Sequence, residues 1–136
     1  NGNGIQDDGA TGIFNVPVTL TITYPTTPNA VTTIVTTTDA SGYYSFPNVL
    51  VDESFNGIPP GEPTFVLTVG TPAGYAVSPL DQGANEAVDA ENPAGQSVTV
   101  LKGVTDLTTD FGFVPLTGSI GDRVWLEARR WWMRIR

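Results

Sequence analysis

The side chains able to do chemistry in this chain are oxygen donors and little else. Its 136 residues include no His and no Cys. That removes imidazole acid–base chemistry, thiolate nucleophiles, disulfides and Cys/His zinc sites. No Gly-rich phosphate loop occurs, so an enzyme is not expected. What remains is acid. Residues 1–122 carry 13 Asp and Glu against one base, Lys102, a net charge of −12, while residues 123–136 carry five Arg and one Glu, a net +4. An acidic body repels nucleic acid. It suits a solvated outer surface, or one that gathers divalent cations through oxygen ligands. The polar run from Leu80 to Gln96 holds Asp81, Asp89 and Glu91, which read either as a second cation site or as a solvated acidic surface loop.

The elements that must position these groups are strands. Hydrophobic residues make up 40% of the chain, and 15 Gly, 11 Pro and 19 Thr disfavour helix and favour short strands between turns. Val16, Val18, Leu20, Ile22 and Tyr24 alternate with Thr19, Thr21 and Thr23, the period of a half-buried strand. Ala30 to Thr38 is a second β-branched run. Tyr44 and Phe46 mark a third strand after the Asp39–Gly42 turn, halted by Pro47. Phe65, Leu67 and Val69 mark a fourth, Tyr75 to Ser78 a short edge strand, Val98 and Val100 another, Phe111 and Phe113 another, and Gly118 to Leu126 a last one. The inward set should include Val18, Leu20, Ile22, Tyr44, Phe46, Phe65, Leu67, Val98, Val100, Phe111 and Phe113. No apolar run approaches the ~20 residues of a membrane helix, so membrane insertion is not expected. Short strands with frequent turns imply one antiparallel sandwich domain.

Five motifs then occur in order: Asn1-Gly-Asn-Gly-Ile-Gln-Asp7, Thr38-Asp-Ala-Ser-Gly-Tyr-Tyr-Ser-Phe46, Thr71-Pro-Ala-Gly-Tyr75, Asp110-Phe-Gly-Phe113 and Gly118-Ser-Ile-Gly-Asp-Arg-Val-Trp125. Together they resemble the SdrD B-like repeat, a relative of the collagen-adhesin B-type (Cna-B) domain. The resemblance covers nearly all of residues 1–127. It implies an all-β, antiparallel, Ig-like or prealbumin-like sandwich of about seven to eight strands. It also implies an extracellular bacterial location, usually as one of many tandem repeats in the stalk of a surface protein.

The resemblance further implies a calcium loop of the EF-hand type, in which oxygens at alternate positions converge on a hard cation. Asn1 and Asn3 would be ligands, Ile5 would offer its carbonyl and Asp7 would follow. Position one would have to come from Glu127 of a neighbour, and position twelve is Ala10 rather than Glu. A Gly/Asn turn that tolerates positive φ is the alternative. The Lys–Asn isopeptide crosslink of Cna-B relatives is not expected, because the single Lys, Lys102, lies late in the chain.

In the family the Gly-x-Ile-Gly-Asp-x-Val-Trp strand opens the domain, whereas here it follows Phe113. Three arrangements are open. The chain is a piece of a tandem array, or residues 118–127 complete the sandwich of the next copy, or they fold back as the domain's own first strand. We expect a β-sandwich over 1–117, a donor strand over 118–127 and an atypical basic, aromatic tail over 128–136. In the donor arrangement Ile120, Val124, Trp125 and Leu126 would contact the neighbour, head to tail. The expected function is a structural repeat of an extracellular filament or surface stalk. The alternative is an adhesin module for a host protein or a glycan, with Tyr24, Tyr43, Phe55 and Tyr75 as a sugar platform.

Overall fold

Val18, Leu20 and Ile22 project inward from β1 (Pro17–Tyr24), while Thr19, Thr21 and Thr23 stay half-buried on its other face. This alternation makes β1 the centre of the larger sheet. Its neighbours are β2 (Ala30–Thr37) and β3 (Thr64–Val69), both antiparallel to it. Across β1 and β3, Val18 stands opposite Val69, Leu20 opposite Leu67 and Ile22 opposite Phe65. The two apolar rows therefore form one continuous inner face. β5 (Gln96–Val98) pairs with β3 and completes the order β2-β1-β3-β5. The second sheet contains β4 (Tyr75–Val77) and β6 (Phe113–Pro115), also antiparallel. The computed structural model describes all residues except Asn1, Asp8, Ala10, Thr26, Thr27, 52–60 and 127–136. Within the described residues it is all-β, with no helix.

The buried core is Val16, Val18, Leu20, Ile22, Phe65, Leu67 and Val69. Ile13, Tyr44, Phe46, Val98, Phe111 and Phe113 pack against it but remain partly exposed. Tyr44 meets Phe46 edge-on at 6.1 Å and Phe111 at 6.3 Å. This cover over the larger sheet is incomplete. A cavity of about 610 Å³ lies among Leu20, Phe65, Leu67, Tyr44, Phe46 and Val98. Another of about 490 Å³ lies among Val16, Val18, Val69, Phe111, Phe113 and Pro115.

Buried polar groups fix the chain's crossings. The Thr38 hydroxyl accepts from the Val16 N–H at 2.8 Å and donates to the Ile13 carbonyl at 2.6 Å. Beyond it, Asp39 Oδ1 accepts from Ser41 N–H and Tyr43 N–H and closes the turn. Gly42, at φ +84°, lies so close to Gly12 that a Cβ on it would stand 2.6 Å from the Gly12 Cα.

Two expected strands do not form, and β2 lies at an edge. Tyr44–Phe46 forms no strand, because it is held by ring packing rather than by a backbone ladder. β2 is exposed along almost its whole length, with Val31, Ile34 and Val35 open at 60%, 44% and 61%. It is an edge strand, and no further strand pairs with it among the described residues. Gly118–Leu126 is also not a strand: residues 118–126 are exposed throughout, Ile120, Val124 and Leu126 fully and Trp125 by two thirds. A strand needs a neighbouring backbone to bond to, and no other described segment lies alongside this one as a ladder partner.

Candidate metal centre

The acidic loop is solvated over residues 81–87 but buried at Asp89, Ala90 and Glu91. Asn85 starts a turn, accepting the Val88 N–H on its carbonyl at 3.1 Å and the Ala87 N–H on Oδ1 at 3.3 Å. The following residues run against the N-terminal segment. Gln6 N–H donates to the Val88 carbonyl at 2.6 Å and Ala90 N–H to the Gly4 carbonyl at 3.0 Å, with Ile5 and Asp89 as a bridge pair. Gly4 makes this approach possible: it is buried at φ +84°, and any Cβ would strike the Pro79 carbonyl oxygen. On the other side Glu91 N–H donates to the Asp110 carbonyl at 2.8 Å, and Asp110 N–H returns a bond to Glu91 Oε2 at 2.6 Å.

This double anchoring leaves Asp89 5% exposed and Glu91 6%. Glu86 reaches the same place from solvent, and one carboxylate oxygen from each of the three lies within 4.8 Å of the others. Asp89 Oδ1 is buried without a hydrogen-bond partner. Burial, followed by the negative charges of Asp110 and Asp89, pushes the Glu91 carboxyl up to about 7. Burial and the charges of Asp89 and Asp106 push Asp110 up as well. Tyr44, whose hydroxyl donates to the Thr109 carbonyl at 2.8 Å, is raised by burial and then by the charge of Asp110.

Of the acids expected in this loop, Asp89 and Glu91 come together, whereas Asp81 is exposed and does not join them. Glu86 was missed. Its signal was the Asn85 turn, which returns the chain by one turn and sets Glu86 beside Asp89.

In the Asn1–Asp7 loop the structure brings Asn3, Ile5 and Asp7 together but turned toward one another. Asn3 Oδ1 accepts the Ile5 N–H at 3.0 Å, Asn3 Nδ2 donates to Asp7 Oδ2 at 3.1 Å, and Asp7 N–H donates to the Ile5 carbonyl at 2.9 Å. Asn1, Ala10 and Glu127 lie outside the described residues, as does the tail 128–136. Of the aromatic residues considered for a sugar platform, Tyr43 is 73% exposed, Tyr24 and Tyr75 are half-buried and Phe55 lies outside the described residues. Among the described residues no helix is long and apolar enough to cross a membrane.

The family model described as the SdrD B-like domain matches residues 1–113. Serine-aspartate repeat-containing protein F of Staphylococcus epidermidis (strain ATCC 12228 / FDA PCI 1200) is 35% identical over 130 residues, covering 96% of this chain and 7% of that protein. Serine-aspartate repeat-containing protein D of Staphylococcus aureus (strain Newman) is 32% identical over 130 residues, covering 96% of this chain and 9% of that protein. The chain thus spans less than a tenth of the length of these relatives.

Proposed function

This chain belongs to the SdrD B-like domain family, and from that premise we propose that it is a non-catalytic structural repeat of an extracellular filament or surface-protein stalk. Membership of the family puts it outside the cell, as a component of a surface protein. Its work is mechanical: a β-sandwich joined end to end with others of its kind, the Gly118–Glu127 segment of one copy adding a strand to the next. One observation carries this reading. Residues 118–126 offer Ile120, Val124, Trp125 and Leu126 to solvent, while the sandwich beside β6 is incompletely filled. An added strand satisfies both, because its main chain bonds to an open edge and alternate side chains enter the core. The acceptor edge in this reading is β6. Gly2, at the start of the described chain, packs on Val114, 2.9 Å from its Cγ1 to a built Cβ. A strand running into the Asn1 loop would therefore lie along β6.

Calcium belongs to the same reading. Asn1, Asn3, Ile5 and Asp7, with Glu127 of the neighbouring copy, would hold the ion and tie its binding to assembly. Asn3 Oδ1 would first have to give up the Ile5 N–H, and Asp7 Oδ2 the Asn3 amide N–H, in exchange for the metal.

The test is the full chain carrying both Ile120→Asp and Val124→Asp. The parent should form head-to-tail fibres visible by electron microscopy, and the double variant should sediment as a monomer with an unchanged far-UV spectrum. Fibres that persist in the variant would reject the strand exchange.

A further inference from the structure

The larger sheet ends on β2, and among the described residues no strand lies beyond it. The strand exchange at β6 concerns the other sheet, so this edge stays open in a fibre. The ladder fixes which groups the edge presents. Thr38 N–H donates to the Val16 carbonyl, and Pro17, opposite Thr37, has no N–H to give. Bonded and non-bonded pairs alternate along an antiparallel ladder. Thr36, Ile34 and Thr32 therefore bond to β1, while Val31, Thr33 and Val35 turn their N–H and C=O groups outward. The side chains of the same three residues lie on the outer face, opposite Thr23, Thr21 and Thr19. Charge then selects the occupant. The four strands of this sheet contain no Asp, Glu, Lys or Arg, in a chain with 14 acids against six bases. A basic strand finds no acid in β2 to pair with. Two copies that meet here set no acid against acid within the contact, unlike copies meeting on their acidic loops.

We propose that β2 pairs antiparallel with β2 of a second copy, about a two-fold axis through Thr33, and so joins two molecules side by side. Such an axis, perpendicular to the sheet, keeps inner face with inner face and makes the contact isologous. It sets Thr33 against Thr33 and Val31 against Val35 of the second copy, all of them residues with outward backbone groups, so the main chains can bond along the whole edge. The two valines, 60% and 61% exposed in the single molecule, cover each other. On the inner face Ile34 lies opposite Thr32 of the second copy and diagonal to its Ile34, within reach of it. The neighbouring register, centred on Ile34, would leave both valines facing threonines. One strand from each copy buries less than the ~1,000 Å² of a stable interface. Single molecules therefore pair only at about millimolar concentration. Fibres that align many such edges pair far more tightly, because each contact after the first is intramolecular. The edge is thus a device for bundling fibres laterally.

The experiment uses the full chain with Ile120→Asp and Val124→Asp, which blocks the strand exchange whether or not that exchange occurs, so the two readings fail separately. The chain has no Cys, and a single introduced thiol reports one contact. Thr33→Cys, on the axis, should form a disulfide dimer under mild oxidation, since the ~5.5 Å between Cα atoms of a hydrogen-bonded pair suits that bond. Thr37→Cys is equally exposed on the same strand but lies far from its counterpart, and should crosslink at least about tenfold more slowly. In sedimentation equilibrium at about 1 mM and ~0.15 M salt, the mass should rise from 14.4 kDa toward twice that value. Val35→Lys, at an exposed position, should keep the monomer mass with an unchanged melting curve. A monomer at millimolar concentration without Val35→Lys would overturn the proposal. So would equal crosslinking rates at positions 33 and 37, or a dimer that survives Val35→Lys.

Discussion

Replacing Thr38 by Val tests how the N-terminal segment is fastened to the larger sheet. The two side chains have nearly the same shape, so packing is conserved and only the hydroxyl is lost. That hydroxyl is 8% exposed with its residue and serves two backbone groups, the Val16 N–H at 2.8 Å and the Ile13 carbonyl at 2.6 Å. Val16 is buried, so its N–H is left with no partner and no water, a penalty of about 1–3 kcal/mol. Ile13 is half-buried, water reaches its carbonyl, and its share is smaller. The sum is roughly 2–3 kcal/mol, which for a domain of this size lowers Tm by roughly 8–12 °C. Thr38→Ser makes the opposite change: it keeps both hydrogen bonds and gives up one buried methyl group, worth about 1 kcal/mol. Circular dichroism melts of the two variants should therefore rank Ser above Val, against the order of hydrophobicity. A Val variant as stable as the Ser variant would show that this hydroxyl does not hold the segment.

Three further outcomes are expected. Leu20→Ala should cost about 2–5 kcal/mol in urea unfolding, because Leu20 is 4% exposed and stands directly opposite Leu67; a loss below ~1 kcal/mol would mean that this face is not the core. Gly42→Ala should destabilise by more than about 1 kcal/mol, since it combines φ +84° with a 2.6 Å approach to Gly12, and a neutral melt would contradict that crossing. In chelator, Tm should fall as pH rises from about 4.5 to about 7, because Glu91 binds its proton more tightly in the native state (about 7) than in the unfolded chain (4.5); Glu91→Gln should flatten that fall, and a Tm that rises across this window in the parent but not in the variant would refute the sign.

The larger sheet was legible because its chemistry is local. Val18, Leu20 and Ile22 against threonines, and Phe65, Leu67 and Val69, announce their inward face by period alone, and the five ordered motifs announce the family. The acidic cluster was only half legible. Asp89 and Glu91 are buried because Gly4 and Gln6, more than eighty residues earlier, pair with their loop, and no window of sequence contains both partners. The failed strand at Tyr44–Phe46 has a different cause. Alternating aromatics register a face to be covered, which the Tyr44–Phe111 contact does, but not whether a backbone edge lies alongside. Gly118–Leu126 shows the same gap more plainly, since its pattern specifies a strand and no described residue of the chain forms a ladder with it.

The exposed edge of β2 also governs how molecules of this protein tolerate crowding. Natural edge strands are commonly blunted by lysine or proline along their length; β2 carries neither, and Pro25 and Pro28 lie only in the connection before it. Val31, Ile34 and Val35 give that edge an adhesive character. Long-range charge is what holds such molecules apart: a formal −8 at pH 7 and an isoelectric point near 4.1. At physiological ionic strength this repulsion reaches only ~8 Å. Colloidal stability is therefore conditional, wide at neutral pH in dilute buffer and narrow near pH 4 or in concentrated salt, where sheets are free to meet edge to edge.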